Sequence, residues 1–447
     1  MNLNYIGSVA ERFMQFRSSL AAEEGVATNI FNCISIYMPK SLGSANLADS
    51  AWNPVDVTAT SYAVIPVTVD NYREVFKDTG ALMSQWLPVF NDGTNFNVTL
   101  YIIVFDDTGF TPTVSATGIT WAPLKKAFDE LYFISFFKTI FSEHYDGSEV
   151  THDPAEEGDY TDANYFDMAL CLSALCEAES TLSLAILYTK VVVPDVGGAD
   201  SNLCKVLTQD RGTETTQAAT FTGSTITTRA QYFWGFINLL GGKHTWLILH
   251  NGVYMPAYIL GKWFEAKNGS GEFIGNKLDK IRLTGANVKP TGNPSPLNSD
   301  VNLNLDKSFY GNLDAKFVTY FISISGASDN DVEAKGSRTV ANYPVNAYEM
   351  SKWIDFNASQ DMANFVTARG TLTDPVLANE QAYSTVQNIL ATRIGDMQAT
   401  KRLYGTQMSF PPFSEAKKGN WFEGTAVWSG YYDDDLEGVK VSGSIVF

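Results

Sequence analysis

Four histidines, His144, His152, His244 and His250, are the only side chains that titrate near neutral pH without help from their surroundings. None stands in an HExxH or HxxxH pair or beside a nucleophile motif, the arrangements in which histidine holds zinc or takes a proton. His244 and His250 flank the apolar run TWLIL and read as structural strand-end residues rather than as a general base pair. The acidic pair Asp106-Asp107 follows the run NVTLYIIVF, and carboxylates at the carboxyl end of a parallel strand can hold magnesium. No phosphate-binding glycines accompany them, so the pair reads as the opening of a solvated loop.

Cys33, Cys171, Cys176 and Cys204 contain no CxxC pair and no Cys/His cluster with zinc-site spacing. Cys171 and Cys176 stand five apart in an apolar helical run, on different faces, which predicts buried free thiols in a protein made in a reducing cytoplasm. The stretch NGSGEFIGN at 268–276 lacks the lysine that reaches the β and γ phosphates in a Walker loop, and its third glycine is wrongly spaced for a dinucleotide fingerprint. The chain therefore reads as no enzyme: no catalytic residue, metal ligand or cofactor is expected.

Composition points toward assembly. Hydrophobic residues make up 45% of the 447, aromatic residues 13% and charged residues 18%, the last below the roughly 25% of ordinary soluble domains. Few charges among many Tyr, Phe, Trp, Asn and Thr suit a surface covered by other protein. With 31 Lys and Arg against 49 Asp and Glu, the net charge is -18, and such a surface repels phosphate backbones. Nucleic acid is not an expected partner. The opening MNLNYIGSVAERFMQF has no signal-peptide pattern, and no apolar run reaches the roughly 20 residues of a membrane span, so neither export by that route nor a membrane partner is expected.

The elements that would carry any function follow from periodicity. Apolar spacing over 6–24 predicts a short amphipathic helix, followed by a strand around 29–37 ended by Pro39. A strand at 62–69, a helix capped by Asp70 and a buried strand at 96–105 complete a strand-helix-strand unit and argue for a mostly parallel sheet. Helix-forming apolar sequence covers 122–144 and 164–188, the latter running into a strand at 184–193. Residues 195–229, rich in Gly, Thr, Ser and Asn, read as an exposed insertion. A helix at 230–240, a strand at 245–249 and a helix at 255–265 follow. KPTGNPSPLNSD at 289–300 is the best domain boundary. Beyond it come a strand at 316–325, helices at 359–369 and 379–403, and strands at 421–431 and 439–447 around the acidic turn DDDLEG. No internal repeat is visible.

In this order the segments resemble the contractile tail sheath proteins of myophages, in particular the divergent short sheath-like group. TNIFNCISIYMP leading to VTVDNYREVFKDTGALMSQWLPVFND, and then NVTLYIIVFDDTG, is similar to the family's opening strand, helices and following strand. YFDMALCLSALCEAESTLSLAILYTK resembles its helix-then-strand unit, and TWLILHNGVYMPAYILGKWFEAKNGSG its strand and small-residue helix. SKWIDFNASQDMANFVTARG and the long helix to LYG resemble the paired helices of its C-terminal domain. Two departures stand out: AYEMSKWID replaces a glycine-rich entry, and GTLTDPVLAN interrupts the helix pair.

The resemblance implies a multi-domain α/β and α+β fold, a mixed sheet flanked by helices with extended arms. It divides the chain into an N-terminal arm at 1–28, an α/β domain at 29–288, a tube-facing domain at 301–430 and a C-terminal arm at 431–447. The implied partners are further copies in stacked rings or a helix, a tail tube protein, and baseplate and tail terminator proteins. The implied place is a virion tail assembled in the host cytoplasm. Contraction would drive the tube through the host envelope without ATP. At the C-terminus Val439, Val441, Ile445 and Phe447 alternate with Lys440, Ser442, Ser444 and Val446 behind Gly438. The resemblance implies a strand donated to a neighbouring copy, while the same alternation also suits a last strand paired within its own domain. Two other functions stay open. A tube, baseplate or capsid subunit would share the composition but be mostly β, against about six helices expected here. A metal-dependent α/β enzyme would use Asp106 and Asp107.

Overall fold

The structure, a computed structural model, describes residues 11–16, 30–39, 62–67, 99–115, 118–135, 138–141, 165–178, 184–190, 242–250, 282–284, 311, 313–323, 331–369, 378–432 and 439–446. The chain falls into two compact units, one of Ala21–Ala266 with Gly275–Val345, the other of Met1–Leu20, Lys267–Ile274 and Asn346–Phe447. Residues 289–300, where a boundary is expected, lie outside the described residues. So do the expected helix after Asp70, the 195–229 insertion, and the helices at 230–240 and 255–265.

The larger unit is built on a six-stranded mixed sheet. Its strands are β1 (Cys33–Pro39), β2 (Tyr62–Val67), β3 (Thr99–Phe105), β6 (Lys138–Phe141), β7 (Leu184–Lys190) and β8 (Thr245–His250), in the order β2-β3-β1-β6-β7-β8. Only the edge strand β2 runs antiparallel to its neighbour, and the other pairings are parallel. Continuous apolar strands such as CISIYMP and TLYIIVF are what a sheet covered on both faces requires, and every position of β1 is buried. Several polar groups inside are paired. The Tyr37 and Ser135 hydroxyls share a hydrogen bond of 2.8 Å, and Trp246 Nε1 donates to Thr319 Oγ1 at 2.7 Å, which in turn donates to the Gly336 carbonyl.

Helices α1 (Ala122–Glu130), α2 (Tyr132–Ser135) and α3 (Tyr165–Ala178) flank this sheet, and α3 packs on β7 and β8. A short hairpin pairs β4 (Thr113–Ser115) with β5 (Gly118–Thr120). The helix expected over 122–144 stops at Ser135, and Lys138–Phe141 is instead the strand between β1 and β7. A short apolar run fits either state by periodicity, and the pairing on both sides decides for strand. A second, antiparallel sheet joins β9 (Arg282–Thr284), β10 (Tyr320–Ser323) and β11 (Asp331–Lys335) in the order β10-β11-β9.

In the other unit a helical segment at 11–16, with Phe13 buried, falls inside the helix expected at 6–24. Its C-terminal part contains α4 (Val345–Arg369), α5 (Glu380–Ala399), α6 (Phe413–Ala416) and five strands. These are β12 (Leu403–Ser409), β13 (Lys417–Lys418), β14 (Trp421–Phe422), β15 (Thr425–Tyr432) and β16 (Val439–Val446). Asn379 caps α5 by accepting from the Ala382 backbone N–H at 2.8 Å. Ala382, Val386, Leu390, Ile394 and Met397 then recur at three- and four-residue spacing on its buried side. Arg393 ties α5 to α4: its Nε donates to Asp361 at 2.7 Å and its guanidinium lies 5.5 Å from the centre of the Trp353 ring.

Candidate assembly interface

The C-terminal strands form a three-stranded antiparallel sheet in the order β12-β15-β16, with β15 in the middle. Strand β16 pairs with β15 along its full length, from Val439 opposite Tyr432 to Val446 opposite Thr425. Its other side has no strand partner among the described residues. Because side chains alternate across a strand, this register gives the sheet two faces of different chemistry.

The inner face carries Leu403 on β12, Ala426, Trp428 and Gly430 on β15, and Ile445 on β16, all buried. Two glycines make its packing possible. A Cβ at Gly430 would lie 2.8 Å from Leu403 Cδ1. A Cβ at Gly443 would lie 2.2 Å from Asp355 Oδ1 and 2.3 Å from Trp428 Nε1. Only glycine fits at 443, where the β16 backbone passes over a buried hydrogen bond from Trp428 Nε1 to Asp355 Oδ1 of 2.7 Å. Burial raises the Asp355 carboxyl to about 6, against the pull of Lys352 and the Trp428 bond. Asn346 Nδ2 donates to the Tyr432 hydroxyl at 2.6 Å, a second link between α4 and the sheet.

The outer face presents Tyr404, Gln407 and Ser409 from β12, Thr425, Val427, Ser429 and Tyr431 from β15, and Ser442, Ser444 and Val446 from β16. All are exposed except the half-buried Ser429. Tyr404 is 44% exposed, Val427 47%, Tyr431 51% and Val446 41%. None of the ten is charged. By register Lys440 joins the Tyr431 end, on the edge strand. Beside the sheet, β13 and β14 form a hairpin turned at Gly419, with Lys417, Lys418 and a 62% exposed Trp421. Its base is an aromatic cluster in which Tyr383 meets Phe410, Phe413 and Phe422.

The residues singled out in the sequence fall as follows. Val439, Val441 and Ile445 share the inner-face register of β16, Ile445 is fully buried, and Phe447 lies outside the described residues. Within the chain this strand pairs with β15. Asp106 closes its own turn, its Oδ1 accepting from the Thr108 backbone N–H at 3.1 Å and hydroxyl at 2.7 Å. His244 is buried where β8 begins. Its backbone N–H donates to Glu177 Oε1 at 2.6 Å, and the Thr245 hydroxyl donates to the same oxygen at 3.0 Å. Burial pushes the Glu177 carboxyl up, opposed by these bonds. His144, His152 and Cys204 lie outside the described residues, while Cys33, Cys171 and Cys176 are buried free thiols. Among the described residues no three His, Cys, Asp or Glu side chains are placed to hold a metal ion, and no helix is long and apolar enough to cross a membrane.

What these elements define is an α/β protein with a mixed sheet whose middle strands are covered on both faces, and a C-terminal sheet buried on one face. No family model matches the chain, and no curated protein sequence matches it. Two of the solved structures similar to it are these. One is a chain of the anti-feeding prophage (AFP) baseplate, seen by cryo-EM and six-fold symmetrised: 11% identity and a TM-score of 0.44, covering 95% of this chain and 92% of that one. The other is the crystal structure of the sheath tail protein Lin1278 from Listeria innocua, at 8% identity and a TM-score of 0.40, covering 100% of this chain and 99% of that chain.

Proposed function

We propose that this chain is a structural subunit of a contractile tail sheath, without a reaction of its own, that polymerises around a tail tube by exchanging its C-terminal strand. The observation that carries the reading is β16, a terminal edge strand that supplies one whole side of β15 and follows a short acidic link at 433–438. In the exchanged state β16 of one copy takes the same register on the β15 of its neighbour, so every contact made within the chain is made again between chains. Val439, Val441, Ile445 and Phe447 are then the inner-face residues of the donated strand. Six linking residues reach at most about 20 Å, which limits exchange to an adjacent copy.

Main-chain hydrogen bonds along a strand survive rigid-body rotation of the bodies they connect. A sheath that shortens by rotating its subunits needs such a linkage. The N-terminal residues 1–28 would serve as the second arm and the tube would meet the 301–430 region. Tube, baseplate and terminator proteins would be the partners in a virion tail. Electron microscopy of the purified chain tests the reading: hollow cylinders are expected, and a chain that stays monomeric at high concentration contradicts it. Removal of 439–447 is expected to abolish cylinders while the six-stranded sheet stays folded.

A further inference from the structure

We infer that Asp355 is a latch beneath the C-terminal strand: protonated, it holds β16 on the sheet, and ionised, it lets β16 lift away from β15. Lifting β16 is the step that strand exchange requires, so the latch rests on the exchange reading for its role and adds what sets the ease of that step.

The latch is a buried carboxylate with a strand laid over it. Asp355 is 4% exposed, and Trp428 Nε1 donates to its Oδ1 at 2.7 Å. Gly443, opposite Trp428 in the register, passes over both groups. A Cβ there would lie 2.2 Å from Oδ1 and 2.6 Å from Oδ2, so the β16 backbone leaves no layer of water over either oxygen. A protonated carboxyl tolerates such a site. An ionised one does not, since a single hydrogen bond stands in for a whole hydration shell. Lifting β16 brings water to the carboxylate, and opening and ionisation therefore favour each other.

The surrounding charges do not remove this coupling. Lys352, one turn back on α4, and the chain's amino terminus pull toward the ionised form, yet burial outweighs them and raises the carboxyl to about 6. Strand β15 carries no charged side chain, and Lys440 of β16 has the outer-face register. The other buried carboxylate of α4 among the described residues is Glu349, which an Asp355→Asn chain keeps. The closed strand is therefore most secure below about 3.8 and loses its hold as pH rises through about 6. In the exchanged state a neighbour's β16 takes the same place over Asp355, so closed and exchanged forms bury the carboxylate alike. The proton changes the barrier to exchange and leaves its balance unchanged.

Hydrogen exchange on the unassembled full chain tests the latch without needing cylinders. With the carboxyl at about 6 when covered and 3.8 when open, the opening constant of 439–446 should rise about tenfold between about pH 5 and about pH 7.5, after correction for the intrinsic exchange rate. That of β12, on the other side of β15, should change less. Asp355→Asn should remove the rise, with protection of the six-stranded sheet unaltered. If that chain fails to fold, the wild-type comparison of 439–446 with β12 decides alone. No rise, an equal rise in wild type and Asp355→Asn, or opening of 439–446 only in step with β12 each overturns the latch. Cylinders from a chain whose β16 opening ignores pH would sink the latch and leave the sheath reading standing; the pH-dependent opening in a chain that never forms cylinders would do the reverse.

Discussion

The six-stranded sheet and the C-terminal three-stranded sheet are both rich in β-branched and aromatic residues, yet they meet their surroundings differently. Strand β1 is buried at all seven positions, and its hydroxyls are consumed inside the sheet. Strand β15 alternates, with Ala426, Trp428 and Gly430 buried and Thr425, Val427 and Tyr431 exposed. Among the described residues the middle strands of the first sheet are covered on both faces. Among the same residues the second is covered on the face that α4 meets and exposed on the other, and its last strand packs tightly at Gly443 and Ile445. Burial therefore runs, among the described residues, through the middle strands of the first sheet on both faces and is confined to one face of the second.

The sharpest break in that division should come at Trp428. Trp428→Ala removes the largest inner-face side chain and leaves Asp355 buried without its donor, so a loss of about 3–5 kcal/mol is expected in chemical denaturation. Hydrogen exchange should show the loss in the C-terminal sheet, with protection of the six-stranded sheet unchanged. Gly443→Ala should cost somewhat less, about 2–4 kcal/mol, because the new methyl group displaces Asp355 or lifts β16. Its signature is faster exchange in 439–446 than in β12.

Asp355 adds a pH dependence of known sign. Its folded value of about 6 lies above the ordinary 3.8. The stabilising contribution is therefore fully present below about 3.8 and is lost as pH rises through about 6. Asp355→Asn, which keeps an acceptor for Trp428, should flatten the wild-type decline in stability between these values. It should also raise stability at pH 8 by about 1–3 kcal/mol relative to wild type, read as the shift in denaturation midpoint. The smallest effect belongs to the outer face: Val427→Thr should change stability by less than about 0.5 kcal/mol. A large loss there would mean that burial is not confined to the inner face.

Five of the six strands of the large sheet, all but β6, were legible in the sequence as apolar runs, ended for example by Pro39 or by the acidic pair after Phe105. Strand β16 was legible as a two-residue alternation. Helix α4 was legible only from residue 359, because 345–358 are buried almost all the way round and leave no polar stripe for a 3.6-residue period to show. Strand β12 was not read at all: the helix expected at 379–403 ends on its first residue, and its burial does not alternate, with Leu403 buried and the residues after it mostly open. The Asp355-Trp428-Gly443 station joins residues 73 and 15 positions apart, and no local spacing announces it. A tryptophan, an aspartate in the buried stretch of α4 and a glycine inside an alternating strand were its only separate traces.

Strand exchange is tested most directly by placing cysteines at Val427 and Ser444, register partners on the outer face of β15 and β16, and oxidising the assembled protein. Ladders of covalently linked chains on a non-reducing gel are expected from cylinders, with a single internally linked band from the unassembled chain. Cylinders that give only the single band would show that β16 stays with its own β15, and would contradict the account.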